Sequence, residues 1–289
     1  MKEFSTIVFS GGAFKAISLV GITQFLEENN LIKNIKNLIG SSAGAVFCYM
    51  LCLNYSYNDM KQILYKITNQ DEYLKFDFEI EDLINMYDKF GLDSGERLEL
   101  FFQNILYQKL YRKDITFLEF AKITGKNLVI CVTNLTKASS EYWSVDTTPN
   151  YSIITALKAS CCIPIVFTPV KIDDMLYIDG GLYNNCPISY LNKNNIIKDA
   201  LVININCDNY SKMDNFFHYI RFIIASLIDK LKDKEIENAK NNTENIITLD
   251  LCNEENITFD DMKIILTKEF IDRYITIGYD AIKQQLKTD

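Results

Sequence analysis

Histidine is nearly absent from this chain. Among 289 residues there is one, His218, and it lies outside any recognisable motif. The usual serine-histidine-aspartate relay would have to run through that single side chain. No C-x-x-C occurs, and no Cys/His cluster has zinc-ligand spacing, which removes the common structural metal sites. Basic residues do not dominate: 30 Lys and Arg stand against 38 Asp and Glu, a net charge of −8. That balance argues against a nucleic-acid partner, which needs a basic stripe, and against adsorption to anionic membranes by charge, although net charge does not fix how charge is distributed. The longest apolar run, LIGSSAGAVFCYMLCL at 38–53, is shorter than the ~20 residues that span a bilayer, so no transmembrane segment is expected. Length alone would allow two domains of roughly 150 residues. With only four prolines, no low-complexity linker and no repeat, nothing marks a boundary, and 1–289 reads as a single domain.

The N-terminal MKEFSTIVFSGG has no secretory-signal pattern, so the expected compartment is reducing, cytoplasmic or host-cytosolic. The eight cysteines (Cys48, Cys52, Cys131, Cys161, Cys162, Cys186, Cys207 and Cys252) are then expected as buried small hydrophobes.

The pattern along the chain is that of an α/β protein. STIVFS reads as a strand ending at Gly11-Gly12, AISLVGITQFLEEN as a helix, NLIG as a second strand and AGAVFCYMLCL as a second helix. This is the start of a parallel sheet flanked by helices. Residues 57–124 carry four helical segments, 57–68, 79–90, 94–111 and 116–124, with Asp93 or Ser94 placed to cap the third. Strands are expected at 127–136 and 141–145, then a helix at 152–161 and a strand pair turning at Asp173-Asp174. A strand at 200–207, an amphipathic helix at 214–231, a strand at 245–251 and one broken helix or two at 258–286 complete the chain. The Lys- and Asn-rich stretch from Lys230 to Asn242 is its most loop-like break, read as a solvated helix end and not as a domain boundary.

Three segments can carry chemistry. SGGAFKA, at 10–16, is a glycine-rich turn opening a helix, where backbone N–H groups form an anion pocket. Gly40-Ser41-Ser42-Ala43-Gly44 fits G-x-S-x-G with Ser42 central, between an apolar strand and a helix. That is the setting of a nucleophile elbow, in which the flanking glycines relieve a strained turn. Ser41 competes as nucleophile but sits at the wrong place between the glycines. YIDGGLYNNCP, at 177–187, puts Asp179 at a strand end before Gly180-Gly181. Asp-Gly-Gly is also an ordinary turn. Its interest is that a carboxylate bonded to a serine hydroxyl can take the proton directly, without histidine.

Together these segments resemble the patatin-like phospholipase family, whose acyl hydrolases use a Ser-Asp dyad. FSGGAFKA matches the family's oxyanion loop, Gly40–Gly44 its elbow, and ASCCIPIVFTPVKIDDMLYIDGG its aspartate block, continued by Asn185 and Pro187. The resemblance covers about 5–190. It implies a three-layer α/β/α patatin-like fold with a mainly parallel central sheet, a helical insertion or cap at 57–124, and further strands and helices of the same domain at 191–289. It also implies Ser42 as nucleophile, Asp179 as base, and an oxyanion hole from Gly11, Gly12, Ala13 and Ala43. Lys15, Gly40, Gly44, Gly180 and Gly181 would support those motifs.

No cofactor or metal is implied. The implied substrate is a lipid or membrane surface met by a peripheral protein, and room is left for an activating protein partner. Acyl transfer with the same dyad and a non-catalytic interaction protein on this fold are the alternative functions. One departure stands out: where the family usually has three glycines, then arginine and glycine, this chain has Gly11, Gly12, Ala13, Lys15 and Ala16. A positive φ at Ala13 would strain the turn by roughly 1–2 kcal/mol. Lys15 keeps the charge without arginine's fork, and either steadies the loop or meets a lipid phosphate. The apolar stripe Phe216, Phe217, Ile220, Ile223, Ile224 and Leu227 is a core face unless its side chains prove exposed, when it becomes a lipid-contacting one.

Overall fold

The structure, a computed structural model, describes residues 3–69, 88–206, 216–240, 243, 245–250 and 267–286, without the side chains of residues 216–218 and 221. β1 (Thr6–Phe9) passes through a 3-10 turn (Ala13–Ile17) into α1 (Ser18–Glu28). β2 (Asn37–Ser41) leads directly into α2 (Ala43–Cys52), followed by α3 (Tyr57–Asn69). β3 (Gly91–Asp93), α4 (Glu96–Leu110) and α5 (Phe117–Thr124) complete the expected insertion. β4 (Asn127–Asn134), β5 (Ser139–Trp143) and α6 (Ile153–Ser160) return to the sheet. Then come β6 (Ile165–Phe167), β7 (Val170–Ile172), β8 (Met175–Asp179), α7 (Gly181–Asn184) and α8 (Ile188–Lys193). β9 (Ala200–Asn206), α9 (Phe216–Lys240), β10 (Ile246–Asp250) and α10 (Lys268–Leu286) finish the chain.

Among the described residues, eight strands form one sheet in the order β10-β9-β1-β2-β4-β8-β7, with β5 joined to β4. The run from β10 to β4 is parallel, while β5, β7 and β8 are antiparallel additions. The sheet is covered on both faces, as alternation along single strands shows. Ile7 and Phe9 of β1 join one hydrophobic cluster, with Leu38, Ile130 and Leu201 and residues of α1, α2, α4 and α10. Val8 points the other way, into a cluster with Ile39, Val129 and Val202 that α8 and α9 close with Leu191 and Ile236. The fold is therefore helix, sheet, helix in three layers, and α4 contributes Phe102, Ile105 and Leu106 to the same core as the sheet. At the C-terminal end, a Cβ on Gly278 would collide with the Ser18 carbonyl, so this glycine lets α10 lie directly on α1.

β4 brings the site together. On one side its residues Ile130 to Asn134 pair with β5. The other side is shared end to end: β2 pairs with Asn127 to Cys131, and β8, running the opposite way, pairs with Val132 to Asn134. A strand has one partner per side, so the carboxyl ends of β2 and β8 meet head-on. Ser41 lies opposite Cys131, and Asp179 opposite Val132.

Local expectations need correction in two places. Neither Asp93 nor Ser94 caps α4: the N-cap is Gly95 at φ 73°, and Asp93 instead accepts a 2.6 Å hydrogen bond from the Gly95 amide. The stretch from Lys230 is helical as far as Lys240, but anchored rather than a solvated end, with Asn241 and Asn242 outside the described residues. Its anchors are Lys232, Ile236 and Ala239, buried at helical spacing within a run that composition alone makes look solvated. The helix expected at 79–90 falls largely outside the described residues, as do Cys207, Cys252 and the first part of the helical stretch at 258–286.

Candidate active site

Ser42 sits between β2 and α2 with φ 52° and ψ −131°, a conformation that costs a serine energy and is tolerated where the surroundings fix it. A Cβ on Gly40 would strike the Ala45 amide, and one on Gly44 the Phe9 carbonyl, so both glycines let α2 start hard against the strand ends. The Ser42 amide donates to Ser160 Oγ at 2.9 Å, and Ser160 in turn donates to the Cys131 carbonyl at 2.7 Å. The last residue of α6 thus pins the elbow to β4. Ser41 is fully buried, its hydroxyl meeting no nitrogen or oxygen acceptor among the described residues, whereas Ser42 lines open cavity on two sides.

The Ser42 hydroxyl donates to Asp179 Oδ2 at 2.6 Å, across 137 positions of sequence. The second carboxylate oxygen, Oδ1, accepts the Gly181 amide at 2.7 Å, and the Asp179 amide bonds the Cys162 carbonyl at 2.9 Å. Gly180 packs its backbone against the Cys131 carbonyl with no room for a Cβ. Asp179 is 7% exposed. Burial raises its pKa from 3.8 to about 6, against the opposing pull of the hydrogen bonds from Ser42 and Gly181. Near pH 7 the carboxylate is therefore ionised but more basic than an exposed aspartate, as a proton acceptor should be.

The glycine-rich loop lies beside this pair. The Gly11 amide donates to the Asn185 carbonyl at 2.9 Å, the Gly11 carbonyl accepts from Ser10 Oγ at 3.0 Å, and Ser10 Oγ accepts the Ile205 amide at 2.8 Å. Gly11 comes so close to Ser42 that an added Cβ would lie 3.1 Å from the serine's own. Ala13 does adopt a positive φ, 46°. Among the described residues the amides of Gly12, Ala13 and Ala43 meet no backbone acceptor, and all three residues line cavity next to Ser42. Lys15 is buried against the loop rather than extended into solvent.

Two cavities meet at Ser42. One, of about 260 Å³, is almost wholly apolar, with walls from Val46, Phe47, Met50, Phe101, Phe102 and Phe167. The other, of about 210 Å³, contains Asp179, Lys15, Asn185, Asp229 and Lys232 together with apolar residues of α9. Lys232 is ion-paired with Asp229 at 3.0 Å and also reaches the Ile205 carbonyl at the end of β9. The sequence assigns no role to Ser160 or Lys232. Ser160 is the serine of the helix end that opens the aspartate block, ASCCIP, while Lys232 is hidden in the charged run. His218 lies in α9, and its side chain is outside the described residues.

Comparison with known proteins agrees with this architecture. The model of the Patatin family, described as patatin-like phospholipase, matches residues 7–192. Probable lipid hydrolase 463L of Invertebrate iridescent virus 6 is 30% identical over 231 residues, 78% of this chain and 78% of its own. Uncharacterized protein R571 of Acanthamoeba polyphaga mimivirus is 29% identical over 189 residues, 65% of this chain and 61% of its own. Among solved structures, VipD from Legionella pneumophila superposes with a TM-score of 0.59 at 20% identity, covering 99% of this chain and 67% of VipD. The type III effector protein ExoU gives 0.54 at 16%, covering 98% of this chain, which spans about half of ExoU (52%). These two show a common fold. The family match over residues 7–192 and the viral relative show more: the chain belongs to the patatin-like phospholipase family, and at that level it is a lipid hydrolase.

Proposed function

We propose that the chain hydrolyses acyl esters of lipids through a Ser42-Asp179 dyad. The observation that carries this reading is the 2.6 Å hydrogen bond from Ser42 to a buried, basic carboxylate at the junction of an apolar cavity and a mixed one. Asp179 takes the hydroxyl proton as Ser42 Oγ attacks the ester carbonyl. The carbonyl oxygen, now anionic, is held by amides of Gly12, Ala13 and Ala43, each worth about 3 kcal/mol of barrier. The tetrahedral intermediate collapses to an acyl-enzyme, and the alcohol leaves with the proton from Asp179. Water then attacks the acyl-enzyme, giving its proton to Asp179, and Ser42 is regenerated as the fatty acid departs. No histidine takes part.

The apolar cavity suits the acyl chain, and the mixed cavity beside Asp179 suits the alcohol that leaves and the water that follows. In this reading 1–289 works as a single patatin-like domain, with residues 57–124 as the cap. Ile63, Leu64 and Ile67 of α3 and Phe101 of α4 close the acyl cavity from that side. Gly11, Gly40, Gly44, Gly180 and Gly181 serve the site through close backbone approach, and Lys15 by holding the loop. Acyl transfer would use the same groups and differ in what attacks the acyl-enzyme. Mass spectrometry of products from mixed phospholipid and triglyceride vesicles decides: free fatty acid is expected, a new ester would turn the reading to transfer, and no product of either kind would refute it.

A further inference from the structure

In α9 burial and composition run opposite to expectation. The charged second half is the anchored one, with Lys232, Ile236 and Ala239 buried. The first half is the more apolar, yet none of its described side chains from Tyr219 to Leu231 is fully buried. Four large apolar residues stand out along it: Tyr219 (51% exposed), Ile223 (36%), Leu227 (56%) and Leu231 (45%). Spacing of four on a helix of 3.6 residues per turn makes these a slowly winding stripe about 18 Å long. On a water-facing helix the expected residues there are polar, and a contiguous apolar stripe marks a contact surface.

We propose that this stripe seats the protein on a neutral or zwitterionic lipid surface, an inference that rests on the lipid-hydrolase reading above. Two observations favour lipid over another occupant. The neighbouring face of the same helix, through Ile224, Ala225 and Ile228, is a wall of the cavity that holds Ser42 and Asp179. A surface touching the stripe therefore lies beside the mouth of the site, where a lipid ester must enter. The exposed charges beside the stripe are of both signs, Lys230, Asp233 and Lys234, on a chain of net charge −8. Attachment is thus by insertion of apolar side chains, as for interfacial helices, and not by attraction to anionic head groups.

The test uses the full chain carrying Ser42→Ala, so that vesicles stay intact, in co-sedimentation with phosphatidylcholine vesicles. Binding is expected, and expected to persist from 0.1 to about 1 M salt, where charge attraction would be screened. Adding Ile223→Lys and Leu227→Lys should lower the bound fraction by roughly ten-fold or more. The same pair in the catalytically intact chain should leave turnover of a soluble short-chain ester unchanged. Absence of vesicle binding, its loss at high salt, or indifference to the double substitution overturns the proposal while leaving the hydrolase reading standing. A change in sedimentation-velocity mass without loss of vesicle binding makes the stripe a self-association face and also overturns it. Loss of soluble-ester turnover in the double variant does the same by placing the stripe in the fold or the site.

Discussion

Replacing the buried carboxylate should make the protein more stable. Asp179→Asn is nearly isosteric: its Oδ1 can still accept the Gly181 amide, and its Nδ2 can donate to Ser42 Oγ, which is free to accept. What is removed is the cost of burying an ionised group. The pKa of Asp179 rises from 3.8 to about 6 on folding, so the folded state binds its proton more tightly than the unfolded one. The sign follows from linkage: the native state loses stability as pH rises from the unfolded value through the folded one, and the full penalty applies above it. A shift of about two pKa units corresponds to about 3 kcal/mol at pH 8, about half of that at pH 5 and almost none below pH 3. Urea denaturation of wild type and Asp179→Asn at pH 5 and pH 8 measures the difference. The variant should be more stable at both, by about 1 kcal/mol more at pH 8 than at pH 5. A difference independent of pH, or a variant less stable at pH 8, would refute the claim that this carboxylate is held ionised at a cost.

Turnover of a soluble ester by wild type should rise with pH through about 6 as Asp179 ionises and then level off, measured as kcat/KM from pH 4.5 to 8.5. Ser160→Ala removes the acceptor of the Ser42 amide and the donor to the Cys131 carbonyl. It should lower kcat on the order of ten-fold with KM little changed, because it loosens the elbow without touching either cavity. Val46→Phe fills the apolar cavity, so in a series of p-nitrophenyl esters the preference should move toward shorter acyl chains.

The parts of the site that were legible in sequence are the local ones. The elbow announces itself because a strained strand-to-helix turn needs glycines at fixed offsets around Ser42, and the positive φ of Ala13 could be anticipated from where the third glycine is missing. The pairing of Ser42 with Asp179 was legible only by resemblance. It depends on β2 and β8 sharing one side of β4, a long-range register that no residue pattern encodes.

The role of Ser160 escapes for the same reason, since its two partners come from the elbow after β2 and from β4. The helical ends were harder still. Thr116 and Glu119 form a full capping box at the start of α5, written in the sequence only as T-x-x-E, a short pattern that also occurs without a helix. The second half of α9 looked like solvated chain because its composition is charged. Only the sheet beneath it reveals that Lys232, Ile236 and Ala239 face inward.

The central claim is that Ser42, activated by Asp179, is the nucleophile. A fluorophosphonate probe followed by peptide mapping tests it most directly, because the probe reacts only with an activated serine and the modified peptide identifies which one. The account predicts a single adduct on Ser42, absent from Ser42→Ala and strongly slowed in Asp179→Asn. An adduct on another residue, or labelling undiminished in Ser42→Ala, would contradict it.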